Sequence, residues 1–294
     1  MATAKADAEA KFERTLSVQL ALARLGYSPG SIDGSPGSQT RAALRAFQQR
    51  EGLPATGEAD GDTLARLVPP VEIFTRYVVT GDDLARLRPI GSTWLAKSEQ
   101  DRLDYESVLE LVAEKFASSP KLLQRLNPGA EWNRISAGTT LTVPAFEPLV
   151  SPGKAAALKI FLGQRLLQAL DESNRVIAQF PCSIAQRVEK RPAGETLRVV
   201  VAVPNPNYTF NPEVFPESAE GRRLGRKLIL PPGPNNPVGL AWIGLDKSGY
   251  GIHGTPKPEE VGRTESHGCF RLANWNAGQL LKMISVGTPI VVEP

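Results

Sequence analysis

The sequence predicts a multidomain α+β protein, with an N-terminal three-helix module, a small α+β module and a C-terminal, mainly-β sandwich. Three observations support this fold class. Apolar residues near the N-terminus recur at helical spacing, whereas the last half of the chain consists of short β-rich runs between turn residues. Proline-containing breaks at 69–70 and 151–153 separate the regions. The predicted segments are a flexible N-terminal segment at 1–15, the helical module at 16–68, the α+β module at 72–147 and the sandwich at 154–294.

The composition excludes two classes of protein. Lys and Arg number 34 against 31 Asp and Glu, and the net charge of +3 is too small to indicate a nucleic-acid partner. No apolar run approaches the ~18 residues that span a bilayer, so we expect no transmembrane segment in this sequence. The first fifteen residues lack the apolar core of a signal peptide. The protein is therefore cytosolic, or its signal was removed before this sequence begins.

Three helices are predicted in the first module, at 16–25, 38–52 and 62–67, with glycine-rich turns between them. An ordered series of residues through the module resembles the peptidoglycan-binding domain 1 family. The matching residues are Val18-Gln19-Leu20, Leu25-Gly26-Tyr27, Gly30, Asp33-Gly34, Gly37, Thr40, Phe47-Gln48, Gly52-Leu53, Gly57 and Thr63-Leu64. The resemblance implies a peptidoglycan partner, and the alternative is a generic three-helix bundle.

The second module begins with a predicted strand at 77–79, continues with a helix at 107–117 and ends in a strand at 138–144. Its closing portion resembles a LysM module, which implies a βααβ fold that binds N-acetylglucosamine chains. A long insertion that includes Trp94 separates the first strand from the first helix. A purely structural linker domain is the alternative.

The third region alternates strands with turns up to a long, proline-dense stretch at 205–239. Further strands, one helix and a last strand follow. Long ordered loops on a β scaffold often carry functional sites. The predicted elements are strands at 156–161, 165–169, 175–183, 197–203, 240–245, 249–253 and 289–293, and a helix at 273–283.

The candidate chemistry lies near the end of this region. The chain holds two histidines, and both His253 and His267 fall within the seventeen residues that end at Cys269. A thiol with an ordinary pKa of about 8.5 needs a neighbouring base or cation to become a nucleophile. On a strand, His267 and Cys269 would lie roughly 7 Å apart, too far for a hydrogen bond. His253 can approach from a neighbouring strand, so it is the better candidate base, with a backbone carbonyl to orient its ring.

Three other interpretations of this cluster compete. A His/His/Cys zinc site is chemically possible, but the spacing matches no compact structural zinc pattern and a fourth ligand is not evident. A buried structural cysteine with incidental histidines is the second, and a redox-sensing thiol is the third, although no resolving cysteine lies nearby. The other cysteine, Cys182, sits in a β-rich run without a histidine, which indicates core packing.

The two segments Tyr250-Gly251-Ile252-His253-Gly254-Thr255 and Ser266-His267-Gly268-Cys269-Phe270-Arg271 resemble the active-site motif of the L,D-transpeptidases with the YkuD fold. The resemblance covers 155–294. It implies that Cys269 attacks the carbonyl of the diaminopimelate residue at position three of a peptidoglycan stem peptide and expels D-Ala. The thioester then passes to an amine, which forms a 3-3 cross-link. No cofactor and no metal are implied.

The resemblance also implies roles for individual residues. His253 is the base, the Gly254 carbonyl orients it, and backbone N–H groups at His267 and Cys269 stabilise an oxyanion. The residues themselves add the N–H of Gly268, which lies between those two, as a further candidate for this role. Arg271 faces a substrate carboxylate. The other implied substrate-binding residues are Ser266, Tyr250, Asn236 and Trp242. One position departs from the family: Asn276 stands where an Asp is frequent, and we expect a structural consequence.

The function expected from these resemblances is an L,D-transpeptidase of peptidoglycan. The alternatives are an L,D-carboxypeptidase, in which water resolves the thioester, and a catalytically inactive wall-binding protein. The expected partners are the stem peptides and glycan strands, with an envelope protein as a further candidate acyl acceptor. We expect the protein in the cell envelope, in the periplasm, with a signal peptide absent from this sequence.

Overall fold

The structure, a computed structural model, describes residues 2–147, 153–215, 217–266 and 268–294. It confirms the predicted fold class, since a helical unit, a small mixed unit and a C-terminal curled sheet follow one another along the chain. Within the described ranges, no helix is both long enough and apolar enough to cross a bilayer.

The N-terminal unit consists of α1 (Ala2–Arg24), α2 (Ser38–Arg50) and α3 (Gly61–Leu67). The prediction of a flexible segment at 1–15 is wrong, because from Ala2 onward these residues belong to α1. Their Ala, Lys and Glu residues are strong helix formers, so a lack of apolar residues here indicates an exposed helix and not disorder. Phe12 is buried beneath the guanidinium of Arg125, 3.5 Å from its ring centroid, and Arg125 also pairs with Glu9 at 2.6 Å.

The middle unit pairs two antiparallel strands and packs helices against them. Its elements are β1 (Phe74–Val78), α4 (Gly81–Ala85), α5 (Trp94–Ser98), α6 (Val108–Lys115), α7 (Pro120–Leu126) and β2 (Thr140–Pro144). Side chains of Thr80, Thr93, Ser107 and Ser119 accept hydrogen bonds from the first turns of the four helices. The predicted insertion thus contains its own short helix, α5.

The C-terminal unit is one eight-stranded sheet, an added two-stranded hairpin and two helices. Its strands are β3 (Ala157–Phe161), β4 (Leu166–Leu170), β5 (Val176–Pro181), β6 (Thr196–Pro204), β7 (Tyr208–Phe210), β8 (Leu228–Leu230), β9 (Ala241–Leu245), β10 (Gly251–His253), β11 (Phe270–Arg271) and β12 (Pro289–Glu293). Its helices are α8 (Ala219–Leu224) and α9 (Asn274–Met283). The strand order is β11-β10-β9-β6-β12-β3-β4-β5, and β7 pairs with β8 apart from it.

The two layers of the expected sandwich come from this single sheet. The first half of β6 pairs with β12 and its second half with β9, with an irregularity in register between Val199 and Val201. Such bulges increase local twist, which lets one strand serve both halves of a curled sheet. The enclosed core is aliphatic, and Phe180 and Phe270 are its large aromatic members.

The two ends of the sheet meet just after β5. Ser183 and Arg271 exchange two backbone hydrogen bonds, at 2.9 and 3.0 Å, and the Ser266 N–H donates to the Ile184 carbonyl at 2.8 Å. The chain after β5 therefore pairs with the segment that contains Cys269.

The N-terminal unit lies directly against β5. The Ser28 N–H donates to the Gln179 carbonyl at 2.8 Å, and the Gln179 N–H donates to the Gly26 carbonyl at 2.9 Å. The Tyr27 hydroxyl donates to the Val176 carbonyl at 3.0 Å. These bonds extend the sheet by a short stretch of the N-terminal unit, so that unit is docked on the C-terminal one.

Cys182 is fully buried in the aliphatic core, as the sequence predicted, and burial raises its thiol pKa to about 12. We expect Cys182→Ala to lower the free energy of unfolding by about 1 kcal/mol, because the substitution leaves a small cavity. Denaturant unfolding monitored by fluorescence measures this change. An unchanged free energy of unfolding together with lost activity would contradict the assignment of Cys182 to the core.

Candidate active site

The candidate site is built on two parallel neighbouring strands. β10 pairs with β11 so that Ile252 lies opposite Phe270 and His253 lies opposite Arg271. Cys269 immediately precedes β11. His253 therefore approaches the Cys269 segment from the adjacent strand, as its position in the sequence predicted.

A hydroxyl fixes the turn that carries the thiol. Ser266 Oγ donates to the Cys269 carbonyl at 2.5 Å and accepts from the Gly268 N–H at 3.3 Å. The Cys269 sulfur lies 3.6 Å from the Gly249 carbonyl oxygen, against the chain that enters β10. The turn thus directs the side chain of Cys269 across β10.

The thiol of Cys269 is neutral at rest. Burial raises its pKa, while a hydrogen bond from the Gly251 N–H and the positive charge of Lys190 act in the opposite direction. A neighbouring imidazolium would lower this pKa, but His253 is uncharged at rest and burial dominates.

His253 is 7% exposed, and its pKa is lowered to about 4. Burial is the main cause, and the charge of Arg271 acts in the same direction. Nδ1 lies 2.6 Å from the carbonyl oxygen of Gly254. Because a carbonyl can only accept, Nδ1 carries the proton, and Nε2 keeps a free lone pair. A buried neutral imidazole with a free Nε2 can accept a proton at neutral pH.

Trp242 packs against the imidazole ring of His253. Its ring stacks on that of His253, with centroids 5.9 Å apart and planes inclined by 25°. A Cβ added at Gly251 would lie 2.4 Å from the Trp242 ring, so only glycine leaves room for this stacking. The residue expected to bind substrate thus orients the candidate base.

Asn274, the first residue of α9, supports the carbonyl that orients His253. Its Oδ1 accepts from the Leu240 N–H at 3.1 Å and packs so closely on Gly254 that a Cβ there would lie 2.2 Å away. Its Nδ2 donates to Glu114 of the middle unit at 2.8 Å. Burial raises the pKa of this Glu114 carboxyl to about 7. A side chain from another unit is therefore connected to the loop of the base through one hydrogen bond to Asn274 and the packing of Asn274 on Gly254.

No hydrogen bond joins the sulfur of Cys269 to His253 within the part of the chain that the structure describes. Bonds of this kind are often long in proteins without substrate and tighten only in the complex. Both groups are neutral and sit on adjacent strands. The arrangement suits transfer of the thiol proton during attack on a substrate.

Two predicted substrate-binding residues instead hold the polypeptide. Asn236 is fully buried, donates to the Pro231 carbonyl at 2.8 Å and accepts from the Val238 N–H at 2.9 Å. The predicted role of Asn236 in substrate binding is therefore wrong, because its side-chain amide makes its hydrogen bonds within its own loop. Ser266 is used in the turn described above.

The remaining predicted residues lie around the thiol. The Tyr250 hydroxyl donates to the Lys190 carbonyl at 3.0 Å. Arg271 donates from Nη2 to Thr264 Oγ1 at 3.1 Å and to the Glu265 carbonyl at 2.6 Å, while its buried Nε has no partner among the described residues. His267 lies outside the described residues.

Asn276, the departure from the family motif, is buried and donates to Ser28 Oγ of the N-terminal unit at 3.0 Å. The structural consequence that we expected of this departure is therefore a hydrogen bond between the N-terminal and C-terminal units.

Sequence reasoning missed three nearby groups. Lys190 lies close enough to act on the thiol pKa. Burial raises the Tyr208 pKa to about 12, and Cys269 in its ionised form would act in the same direction. Glu114 is the third. All three are far from the motif in sequence, so no local pattern could identify them.

Two parts of the chain match known families. Residues 13–67 match the family described as "Putative peptidoglycan binding domain", and residues 157–292 match the "L,D-transpeptidase catalytic domain". The chain is 27% identical to the Bacillus licheniformis protein named "Putative L,D-transpeptidase YkuD" over 187 residues, or 63% of this chain and 93% of that protein. It is 25% identical over 212 residues to "Probable L,D-transpeptidase YcfS" of Escherichia coli, with 69% of this chain and 64% of that protein covered.

A solved structure, "L,D-transpeptidase from Mycobacterium smegmatis", aligns with a TM-score of 0.37 and 19% identity over 54% of this chain and 65% of that one. Both relatives carry the name of an L,D-transpeptidase. The chain carries an L,D-transpeptidase catalytic domain at its C-terminal end, preceded by an N-terminal peptidoglycan-binding domain.

Proposed function

We propose that this L,D-transpeptidase acts on peptidoglycan stem peptides through a thioester formed on Cys269. The observation that carries the proposal is the pairing of β10 with β11, with a buried, neutral His253 on one strand and Cys269 at the start of the other. Of the two cysteines, Cys269 is the partly exposed one. A covalent nucleophile needs such a base within reach of its proton.

In the first half-reaction, His253 Nε2 removes the thiol proton as the sulfur attacks the carbonyl carbon of the diaminopimelate residue at position three. Negative charge develops on the carbonyl oxygen. The Cys269 N–H makes no hydrogen bond to any described residue, so it is available to donate to that oxygen. His253 then returns the proton to the D-Ala amine, which leaves, and the acyl group remains on sulfur.

In the second half-reaction, an amine attacks the thioester and gives its proton to His253. The bond between the acyl carbon and sulfur then breaks, and His253 returns that proton to the sulfur of Cys269. Diaminopimelate of a second stem peptide yields a 3-3 cross-link, and a lysine of an envelope protein is another acceptor of the same chemistry. Water in place of the amine makes the protein an L,D-carboxypeptidase. The peptidoglycan-binding domain holds the chain on the polymer, which raises the effective concentration of acceptor stems. The protein therefore acts at the cell envelope, and we propose the periplasm.

Product analysis tests the reaction directly. We expect incubation with a disaccharide tetrapeptide from diaminopimelate-type peptidoglycan to give a dimer lighter than two substrates by one D-Ala, because the acceptor amine replaces the leaving group. Mass spectrometry measures the products. Tripeptide without dimer would favour the carboxypeptidase, and unreacted substrate would favour an inactive wall-binding protein.

Covalent labelling tests the nucleophile. Cys269→Ala should abolish the mass increase that a carbapenem gives on the intact protein, since the variant lacks the attacking sulfur while its backbone bonds remain. Cys182→Ala is the matched control and should label at the wild-type rate. Labelling of the Cys269→Ala protein at more than a tenth of the wild-type rate would exclude the thioester mechanism.

The pH profile tests the base. Because the His253 pKa is lowered to about 4, its neutral form persists as the pH falls and is lost only near that value. Carbapenem acylation should therefore keep most of its pH 7.5 rate at pH 5.5. His253→Ala should be slow at pH 7 and recover toward pH 10, where hydroxide generates the thiolate. A wild-type midpoint near the ordinary histidine pKa of about 6.5 would contradict the buried neutral base.

A further inference from the structure

The β7–β8 hairpin stands apart from the main sheet, and its two ends meet beside the loop of the candidate base. The Asn205 N–H donates to the Leu240 carbonyl at 2.9 Å, and a Cβ added at Gly239 would lie 2.7 Å from the Gly254 carbonyl carbon. Three residue pairs join the strands of the hairpin, from Tyr208 opposite Leu230 to Phe210 opposite Leu228. An isolated two-stranded hairpin is marginally stable in water, so its position depends on what packs against it.

The middle unit supplies that packing. The Trp94 ring, at the start of α5, stacks on Phe210 with centroids 4.4 Å apart and planes inclined by 15°. The same ring lies 6.3 Å from Tyr208 and 6.2 Å from Phe215. Fully buried Leu103 joins this cluster from the end of the insertion. The middle unit therefore completes the hydrophobic core of the hairpin, to which Phe215 and Leu224 of the catalytic domain also contribute.

Hydrogen bonds fix the orientation of this contact. The Glu220 carboxylate, from α8, accepts from the backbone N–H groups of Trp94 at 2.8 Å and Leu95 at 2.9 Å. These are unpaired donors of the first turn of α5, so a residue of the catalytic domain caps a helix of the middle unit.

The chain that leaves β8 is tied down as well. The Leu103 N–H donates to the Pro232 carbonyl at 3.0 Å, and the Asn235 N–H donates to the Leu103 carbonyl at 2.9 Å. Gly233 passes so close that an added Cβ would lie 2.1 Å from the Leu103 oxygen. Both the hairpin and its exit are thus held by one insertion.

We infer that Trp94 is a positioning residue for the transpeptidase reaction: it holds the β7–β8 hairpin, and with it the junction of Asn205 and Leu240, beside the loop of His253. The inference rests on the proposed function. It assigns to the middle unit a role in the catalytic unit itself, whereas its LysM resemblance remains a prediction. The insertion that interrupts that resemblance is the part that makes the contact.

The contact predicts a selective defect. Trp94→Ala removes the stacking partner of Phe210 but no bond of the eight-stranded sheet, so the hairpin should lose its position while Cys269 keeps its turn. Reactions that need a bound substrate should slow, because small misplacements of binding groups cost large factors in rate. The reaction of the Cys269 thiol with a small alkylating agent does not need a bound substrate, so it should not depend on the position of the hairpin.

The test measures two rates on the full-length protein: carbapenem acylation, and alkylation of Cys269 by iodoacetamide, both by mass spectrometry. We expect Trp94→Ala to slow acylation about tenfold or more and to leave alkylation within about twofold. Trp94→Phe keeps an aromatic face and should restore acylation to within about threefold of wild type. Trp132→Ala is the matched control, since Trp132 packs in the other cluster of the same unit and its acylation rate should match wild type.

Glu220→Gln is a second variant with the fold intact, and it should slow acylation about threefold because the neutral amide caps α5 less well.

Wild-type protein that the carbapenem leaves unmodified would overturn the proposed function and this inference with it. Wild-type acylation together with an equally fast Trp94→Ala protein would overturn the inference alone. Equal slowing of acylation and alkylation would also overturn it, since a general loss of structure then explains both.

Discussion

The closure of the C-terminal sheet by residues 183–186 is the constraint on which the active site depends. Backbone bonds at Ser183 and Ile184 hold both ends of the Cys269 segment, at Arg271 and Ser266. Ordering a backbone costs about 1–2 kcal/mol per residue, so a catalytic turn needs fixed ends. These bonds use main-chain groups only. The side chains between Ser266 and Arg271 are therefore not needed to close the sheet and can serve catalysis.

Burial decides how the nucleophile and base behave before substrate arrives. The same exclusion of water that raises the Cys269 pKa lowers that of His253, so neither group carries its charge at rest. A thiolate–imidazolium pair would attack any soft electrophile, whereas a neutral pair reacts when the carbonyl is in place and charge can move. The lowered basicity of His253 also helps it return the proton to the leaving amine.

Local patterns predicted most of the strands and the core of the site. The segments around His253 and Cys269 have the residue patterns of strands and turns. The parallel pairing of β10 with β11 brings His253 to the Cys269 segment from a neighbouring strand, as the argument for His253 as the better base requires. The start of α1 was missed because an exposed helix without apolar residues resembles a disordered tail in composition. The contact of Glu114 with Asn274 joins residues 160 positions apart, and that of Trp94 with Phe210 joins two units. Such contacts follow from how the units dock, which no local pattern encodes.

The pairing of Gly26 and Ser28 with Gln179 has a consequence for how the catalytic domain behaves without its neighbour. β5 ends the strand order of the main sheet, and on its outer side the N-terminal unit binds the N–H and C=O groups of Gln179 and the carbonyl of Val176. A shortened chain would present these groups as an open edge, which recruits strands from other molecules and leads to aggregation. The peptidoglycan-binding domain thus also covers the edge strand of the catalytic sheet, and because it is synthesised first, it precedes β5 out of the ribosome.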